Sequence, residues 1–408
     1  MLPSRRAFLS TAGAAVLTAP AVRALGANEK LDVGLIGCGS RGTALVREVL
    51  KFGHRVVAIC DVAEFRLDAA TKVVTNAGED KPERYSDYRR LLEHKGLDAV
   101  VVATPDHHHR DQVIAAIEAE KDVYVEKPMT KSIEEGKEII EAVRKGPKLR
   151  VVQVGNQRHS GIHWKRCKDV IESDDFGKLV SVKVWDTRNW VKKDPFAPPE
   201  WFTKDHEKQI DWPAFLGKAQ KRPFNPLRYW SWRWYWDYAG GLMTDIGAHQ
   251  LDIVQWLGGM DAPKSVTANG GVYHFKHWET PDVVAGTWDY GKFAATFNVQ
   301  FINGADGVGA AFYGTNMTVI ADATKDIRVY ATADRITPDT EPKEVWKVEN
   351  ETPAHAKNWL ECCKARKNPN SPVELGHKVI LSAHLANLSY RTGKKIFWDA
   401  DRQEVIGG

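Results

Sequence analysis

The sequence predicts an α/β chain in two parts. A doubly wound parallel sheet comes first, then an α+β domain with a large, open, mostly antiparallel sheet. Three observations lead there. Apolar runs alternate with helical periods from residue 31 to about 155. A G-x-G-x-x-G turn, Gly37, Gly39 and Gly42, joins the first apolar run to the first helix. From Lys264 to about Tyr330, short segments alternate apolar and polar residues, as half-exposed antiparallel strands do.

The elements follow in order. LDVGLI (31–36) reads as a buried strand, followed by a helix over 41–51. RVVAIC (55–60) is a strand and 64–76 a helix; LDAVVVA (97–103) is a strand and 107–120 a helix. DVYVE (122–126) is a strand, and the next helix starts at a capping box, Ser132 with Glu135. LRVVQVG (149–155) is a further strand. The continuous apolar character of these strands predicts burial on both faces. The first domain is expected over 28–150 and the second over 151–408. The second holds a helix over 162–173, the strand-like LVSVKVWDTRNW, and an aromatic-rich irregular region over 190–240. One helix from Gly241 to Leu257 and two more over 355–367 and 374–392 complete it.

Composition narrows the function. The chain has 408 residues, 43% hydrophobic and 27% charged, as in an ordinary globular protein. The net charge is +4, and Arg5, Arg6 and Arg23 supply three of those charges. A near-neutral body gives no electrostatic case for nucleic acid or an anionic membrane. Residues 1–27 read as a signal peptide: Arg5 and Arg6, a weakly apolar stretch, then small residues at Ala24–Ala27. Arg5-Arg6 followed by Phe8 and Leu9 resembles a twin-arginine export signal, with Ser10 where Lys is frequent. It implies the twin-arginine export machinery as a partner and a periplasmic or secreted location. No cysteine lies near the cleavage region, so no lipid or membrane anchor is expected. The five cysteines, Cys38, Cys60, Cys167, Cys362 and Cys363, include no C-x-x-C; they suggest neither a disulfide framework nor a zinc site.

The glycine turn reads as a phosphate cradle. Gly37 permits the tight turn, Gly39 lets a pyrophosphate approach the backbone, and Gly42 lets helix and strand pack closely. Cys38, Ser40 and Arg41 lie between them, and the helix N-terminus faces the phosphates. Asp61 ends the second strand, where an acid accepts the ribose hydroxyls of NAD and repels the extra phosphate of NADP. Arg66 is close enough to keep NADP open. Three more loops fall at strand C-termini, where ligands bind in such sheets: TPDHHH (104–109), EKP (126–128) and GNQRH (155–159). Thr104, Pro105, His109, Glu126 and Lys127 are the expected cofactor contacts there. Successive side chains cannot all converge, so His107–His109 are turn residues rather than a metal site.

The order of the glycine turn, Asp61, TPDHHH, VEKP and an Asp-x-x-x-His helix resembles the Gfo/Idh/MocA family, and the resemblance extends to HLANLSYRTGKKIFWD (384–399). It implies a dinucleotide-binding Rossmann domain, a sugar or polyol substrate and a homo-oligomer. It also implies that Lys127 lies between nicotinamide and substrate, with Pro128, in a cis or a trans peptide, setting the turn that aims it. The residues support this independently. An ammonium just past a buried strand can stabilise negative charge on a reacting oxygen. Asp245 and His249 are four apart and share a helix face. His249 suits a general base, and Asp245 is expected to orient it or bind a substrate hydroxyl.

The aromatic stretch YWSWRWYWDY (229–238), together with Trp185, Trp190, Trp201 and Trp212, suits the C–H faces of a sugar. Most of these rings read as core, and Trp236 is the substrate candidate. Asn156, Arg158, His159 and Arg188 are weaker ones. Export adds a constraint. Folded export can carry a bound cofactor outward, but no free pool awaits it there. The cofactor is therefore expected to stay bound and be recycled. The reading is an NAD(P)-dependent oxidoreductase acting on a sugar or polyol hydroxyl. Two alternatives stand beside it: redox-neutral glycoside cleavage through a transient keto-sugar, and a non-catalytic sugar-binding protein. Exported relatives of the first kind lack the EKP lysine and the Asp-x-x-x-His pair.

Overall fold

The computed structural model describes residues 30–146 and 150–406. The signal peptide expected over 1–27 lies outside the described residues.

The first sheet has six parallel strands: β1 (Asp32–Ile36), β2 (Arg55–Cys60), β3 (Glu83–Tyr85), β4 (Ala99–Val102), β5 (Asp122–Val125) and β6 (Val152–Val154). Their order is β3-β2-β1-β4-β5-β6. The order reverses between β1 and β4, and the crevice at their C-terminal ends is where a doubly wound sheet binds ligands. Helices α1 (Ser40–Lys51), α2 (Glu64–Thr75), α3 (Tyr88–Leu92), α4 (His109–Glu118) and α5 (Ile133–Lys145) flank it. The strands other than β3 are mostly apolar, and β4 and β5 are buried at every position. The pair β3 and α3 escaped the sequence reading because Glu-Arg-Tyr is too short and charged to form an apolar run. At α5, Ser132 accepts from the Glu135 N–H, but Glu135 reaches back to the Lys131 N–H instead of completing the expected box.

Two findings revise the division at residue 150. Strand β6 runs to Val154 and belongs to the first sheet. The chain also returns late: α12, introduced below, buries Trp359, Leu360 and Cys363 against Leu45, Val46 and Val49 of α1. An apolar stripe on α1 needs a cover, and a segment from the far end of the chain supplies it.

After α6 (Ile162–Ile171) comes β7 (Leu179–Thr187), the central strand of a ten-stranded sheet. The others are β8 (Ser265–Gly271), β9 (Val283–Asp289), β10 (Ala294–Gln300), β11 (Val308–Gly314), β12 (Thr318–Asp322), β13 (Asp326–Tyr330), β14 (Glu344–Lys347), β15 (Ile396–Asp399) and β16 (Glu404–Ile406). Their order is β14-β13-β12-β11-β7-β10-β9-β8-β15-β16, antiparallel except for β7 with β10. Buried and exposed residues alternate along β9 and β10, so one face packs and the other is open.

Three short helices, α7 (Lys204–Glu207), α8 (Trp212–Leu216) and α9 (Pro226–Trp230), punctuate the aromatic region. The helix expected from Gly241 to Leu257 is two: α10 (Gly241–Asp245) and α11 (Gly247–Gly258). At the break, the His249 N–H bonds the Ile246 carbonyl rather than that of Asp245. Helices α12 (Thr352–Ala365) and α13 (Val373–Thr392) follow. Leu251 and Val254 of α11 share the core of the large sheet with Leu381 and Leu385 of α13, Trp288 and Phe297. The five cysteines are buried and free.

Candidate active site

The turn between β1 and α1 has the shape a dinucleotide needs. Gly37 has φ +95°, and a Cβ there would lie 2.7 Å from backbone atoms of Ala103 and Thr104. A Cβ on Gly42 would lie 2.1 Å from the Gly37 carbonyl oxygen. Gly39 is different: nothing lies within 4 Å of its Cβ position. The open space sits at the N-terminus of α1, where unpaired N–H groups favour a phosphate. Asp61 is tied to this turn. Its carboxylate accepts from the Cys38 N–H at 2.7 Å and the Ala63 N–H at 2.9 Å. Burial raises its pKa, while those N–H donors oppose the rise.

These residues open onto a cleft of about 850 Å³. On the first-domain side, Gly37, Gly39, Ser40, Arg41, Asp61 and Arg66 line it, with Thr104 and Pro105 further along. On the opposite side stand Trp201, Phe215, Tyr229, Trp230, Trp232 and Arg233. The glycine space and the acid at the end of β2 fit NAD. Cys38 is buried beneath the turn. His109 is also buried, so it acts behind the cleft wall: its ring nitrogens lie 2.9 Å from the Pro128 and Thr104 carbonyl oxygens. It thereby links the TPDHHH and EKP loops, and the Lys127–Pro128 peptide is cis.

Glu126 is buried and gathers donors. Arg41 Nε lies 2.7 Å from its Oε1, the Lys127 N–H 3.1 Å from its Oε2, and Gln157 Nε2 3.3 Å from Oε1. The phosphate turn and the EKP loop are thus joined by one ion pair. Lys127 then extends toward the second domain. Its Nζ donates to Asp245 Oδ1 at 2.6 Å and to the Asp245 carbonyl at 2.9 Å. That carbonyl is the one the helix break leaves for another donor. Arg233 Nε lies 3.6 Å from Asp245 Oδ2. Burial alone would raise the Asp245 pKa, but the Lys127 and Arg233 charges hold it well below the usual carboxylate range.

Asp245 therefore pairs with Lys127 and not, as the four-residue spacing suggested, by hydrogen bond with His249. The His249 ring has no hydrogen-bond partner among the described residues. Burial, with the Lys127 and Arg158 charges, pushes its pKa well below 6.5, so the imidazole is neutral at neutral pH. Its backbone is braced: Arg158 Nη1 donates to the His249 carbonyl at 2.9 Å and to Gln250 Oε1 at 3.2 Å. Asn156 Nδ2 donates to the Ala248 carbonyl at 3.3 Å. Asn156 and Arg158, candidates for substrate contact, are instead turned toward the first turn of α11. His159 likewise bonds Asp252 at 2.6 Å in the interior. Arg188 is held bidentately by Asp186 at 2.7 and 2.9 Å. Trp236 does not line the cleft: its Nε1 donates to the Glu279 carbonyl and it stacks on Tyr390. Trp230 and Trp232, in the same run, face the cleft instead.

The sequence reading passed over two residues. Arg233 reaches from the cleft wall to Asp245. Asp106, only 2% exposed, has its pKa raised well above the ordinary value by burial first and by Asp245 second. The Arg233 and Lys127 charges oppose that rise. Its signal was the lone carboxylate of TPDHHH.

Residues 31–155 match the model of the oxidoreductase family with the NAD-binding Rossmann fold, and residues 217–320 match the Gfo/Idh/MocA C-terminal domain. The chain belongs to the Gfo/Idh/MocA family. Residues 156–216 fall between the two matched regions of this family member. It is 30% identical to inositol 2-dehydrogenase of Salmonella typhimurium over 154 residues, 37% of this chain and 44% of that enzyme. It is 34% identical to a glycosyl hydrolase family 109 protein of Stenotrophomonas maltophilia, over 28% of this chain and 27% of that one. The chain thus matches less than half the length of either relative. The WlbA dehydrogenase from Bordetella pertussis, solved in complex with NADH and UDP-GlcNAcA, shares the fold: the TM-score is 0.67 at 20% identity, over 91% of this chain and 100% of that one.

Proposed function

We propose that this NAD-dependent oxidoreductase acts on a hydroxyl of a sugar, sugar derivative or polyol and keeps its cofactor through a recycling reaction. One observation carries the reading. Arg233 of the cleft wall and the ammonium of Lys127 meet on Asp245, and the Lys127 charge also acts on a neutral imidazole, His249, that has no hydrogen-bond partner among the described residues. NAD, when bound, would supply the acceptor for the hydride of the carbon that bears the hydroxyl, and a second substrate would take that hydride back. His249 takes the hydroxyl proton on a ring nitrogen, which its neutral state permits. Lys127 donates its remaining N–H to the oxygen as negative charge grows on it. Asp245 holds Lys127 in place and, being acceptor-only, is suited to a neighbouring hydroxyl. Trp232, next to Arg233 in the cleft wall, gives the cleft an apolar face of the kind that sugar C–H groups stack on.

The test is a panel of sugars and polyols mixed with the loaded protein, followed by nicotinamide absorbance. Lys127→Ala and His249→Ala are expected to abolish the change while nucleotide stays bound. Loss of nucleotide from either variant would show that their roles are misassigned. A substrate whose glycosidic bond breaks with no net absorbance change supports the elimination alternative, to which the partial family 109 match is relevant. A sugar that binds without any change supports the non-catalytic one.

The Arg5-Arg6-x-Phe8-Leu9 leader supports export by the twin-arginine route and a periplasmic or secreted location. An Arg5→Lys, Arg6→Lys double variant is expected to stay in the cytoplasm on fractionation. Equal export of both forms would remove this part of the reading. The open face of the large sheet supports a homo-oligomer, which light scattering tests directly.

A further inference from the structure

The wall of the cofactor cleft opposite the glycine turn comes from residues 195–235, and much of it, residues 195–216, lies outside both matched family regions. It is stitched to the first domain at both ends of the cleft. Just past Asp61, the Asp211 N–H donates to the Val62 carbonyl at 2.8 Å and the Glu64 N–H to the Gln209 carbonyl at 3.0 Å. Ala63 and Ile210 pair there as a short antiparallel bridge. Next to it, the Arg66 guanidinium lies over the Trp230 ring, 4.5 Å from its centroid, and Phe65 stacks on the same indole. At the other end, Nε2 of His107 and of His108 each donate to the Phe215 carbonyl at 2.8 Å. Lys218 pairs with Asp111 at 2.7 Å. The approach is close enough that a Cβ on Gly217 would lie 2.8 Å from His108 Cε1. Between the stitches, Ala63 joins Ile210, Trp212, Phe215 and Tyr229 in one buried apolar cluster.

We propose that residues 195–235 form a retention strap that closes the cleft over the dinucleotide and makes cofactor release slow. The stitches flank the acid at the end of β2 and the Thr104–Asp111 loop. Opening the wall therefore breaks backbone bonds, an ion pair, a cation–π contact and an apolar cluster together. Charge and apolar burial act in parallel here, so loss of one stitch loosens the strap without removing it. This inference deepens the proposed reading and rests on it in one respect, that the cofactor is kept between turnovers.

The test uses the full mature protein loaded with isotope-labelled NADH. Excess unlabelled NADH is added, and retained label is measured after rapid gel filtration. The wild type is expected to hold its label on the order of hours. Trp230→Ala removes the cation–π and stacking contacts and is expected to release at least about tenfold faster. Lys218→Glu, at an exposed position, turns the Asp111 ion pair into a repulsion without touching the core, and is expected to act in the same direction. Wild-type exchange within seconds overturns the strap, and so does unchanged slow exchange in both variants. Neither result depends on turnover: a protein that retains NADH but oxidises no sugar keeps the strap and loses the proposed activity.

Discussion

Lys127 of the first domain and Asp245 of the second are joined twice, through the carboxylate at 2.6 Å and through the Asp245 backbone carbonyl at 2.9 Å. The pair is mostly shielded, with side chains 15% and 10% exposed. A double contact fixes both the position of the ammonium and the direction in which its remaining N–H points. It also fastens the EKP loop to the second domain.

Breaking this pair is expected to have different consequences from the two sides. Lys127→Ala removes the group that stabilises the oxyanion, and the hydride-transfer rate should drop about 100- to 1000-fold in single-turnover kinetics. Asp245→Ala leaves a shielded ammonium without its anion and should also cost about 3 kcal/mol in urea unfolding. Asp245 sits below the unfolded carboxyl value of about 3.9, so its contribution to stability is complete above that pH. It is lost as pH falls toward the folded value. Equal stability of Asp245→Ala and wild type at neutral pH would refute the pairing.

His249 predicts the acid limb of the pH–rate profile. The base works only when neutral, and burial with two neighbouring cations lowers its pKa below 6.5. The kcat/KM value should therefore hold as pH falls through 6.5 and decline only at lower pH. His249→Ala should lose about 100- to 10,000-fold and lack this limb. An acid limb at or above 6.5 in the wild type speaks against His249 as the base.

Two glycines of the cradle, Gly39 and Gly42, should separate stability from binding. Gly39 has φ −68°, and nothing surrounds its Cβ position. Gly39→Ala should change unfolding free energy by less than about 0.5 kcal/mol. It should nevertheless weaken NADH binding at least about tenfold, because the methyl fills the phosphate space. Gly42→Ala, which meets the Gly37 carbonyl oxygen, should cost about 2 kcal/mol of stability. Thermal melts with and without NADH distinguish the two; similar behaviour of both variants would contradict the cradle.

Two residues three positions apart in the aromatic run, Arg233 and Trp236, should behave oppositely. Trp236 is committed to Glu279 and Tyr390, outside the cleft. Trp236→Ala should leave the KM for the sugar within about twofold. Arg233, which lines the cleft and approaches Asp245, should raise KM when changed to Ala, by about tenfold for a lost charged hydrogen bond. A reversed pattern would mean that the sugar lies on the other side of the run.

The cradle, Asp61 and the EKP loop were readable because each is a local device. Their residue types answer a backbone requirement or a strand end, and neighbours in sequence are neighbours in space. Ser132 illustrates the limit: its cap to Glu135 was legible, but the return bond went to Lys131, since side-chain reach depends on the actual backbone turn. Trp236 illustrates it further. A run of aromatics announces a buried cluster, and only packing decides which ring faces the cleft.

The sequence by itself determined the alternation of strands and helices, the parallel and antiparallel character of the two sheets, and the cofactor turn. These follow from side-chain period, glycine stereochemistry and the burial of apolar runs, all of which act over a few residues. Tertiary structure alone decided who partners whom. It broke the expected helix at Ile246, gave Asp245 to Lys127 across 118 residues of chain, and turned Asn156 and Arg158 to brace α11. It also brought α12 back onto α1 and laid residues 195–235 along the cleft. Such pairings are set by the joint packing of distant surfaces and by the need of every buried charge for a partner, and no local pattern encodes them.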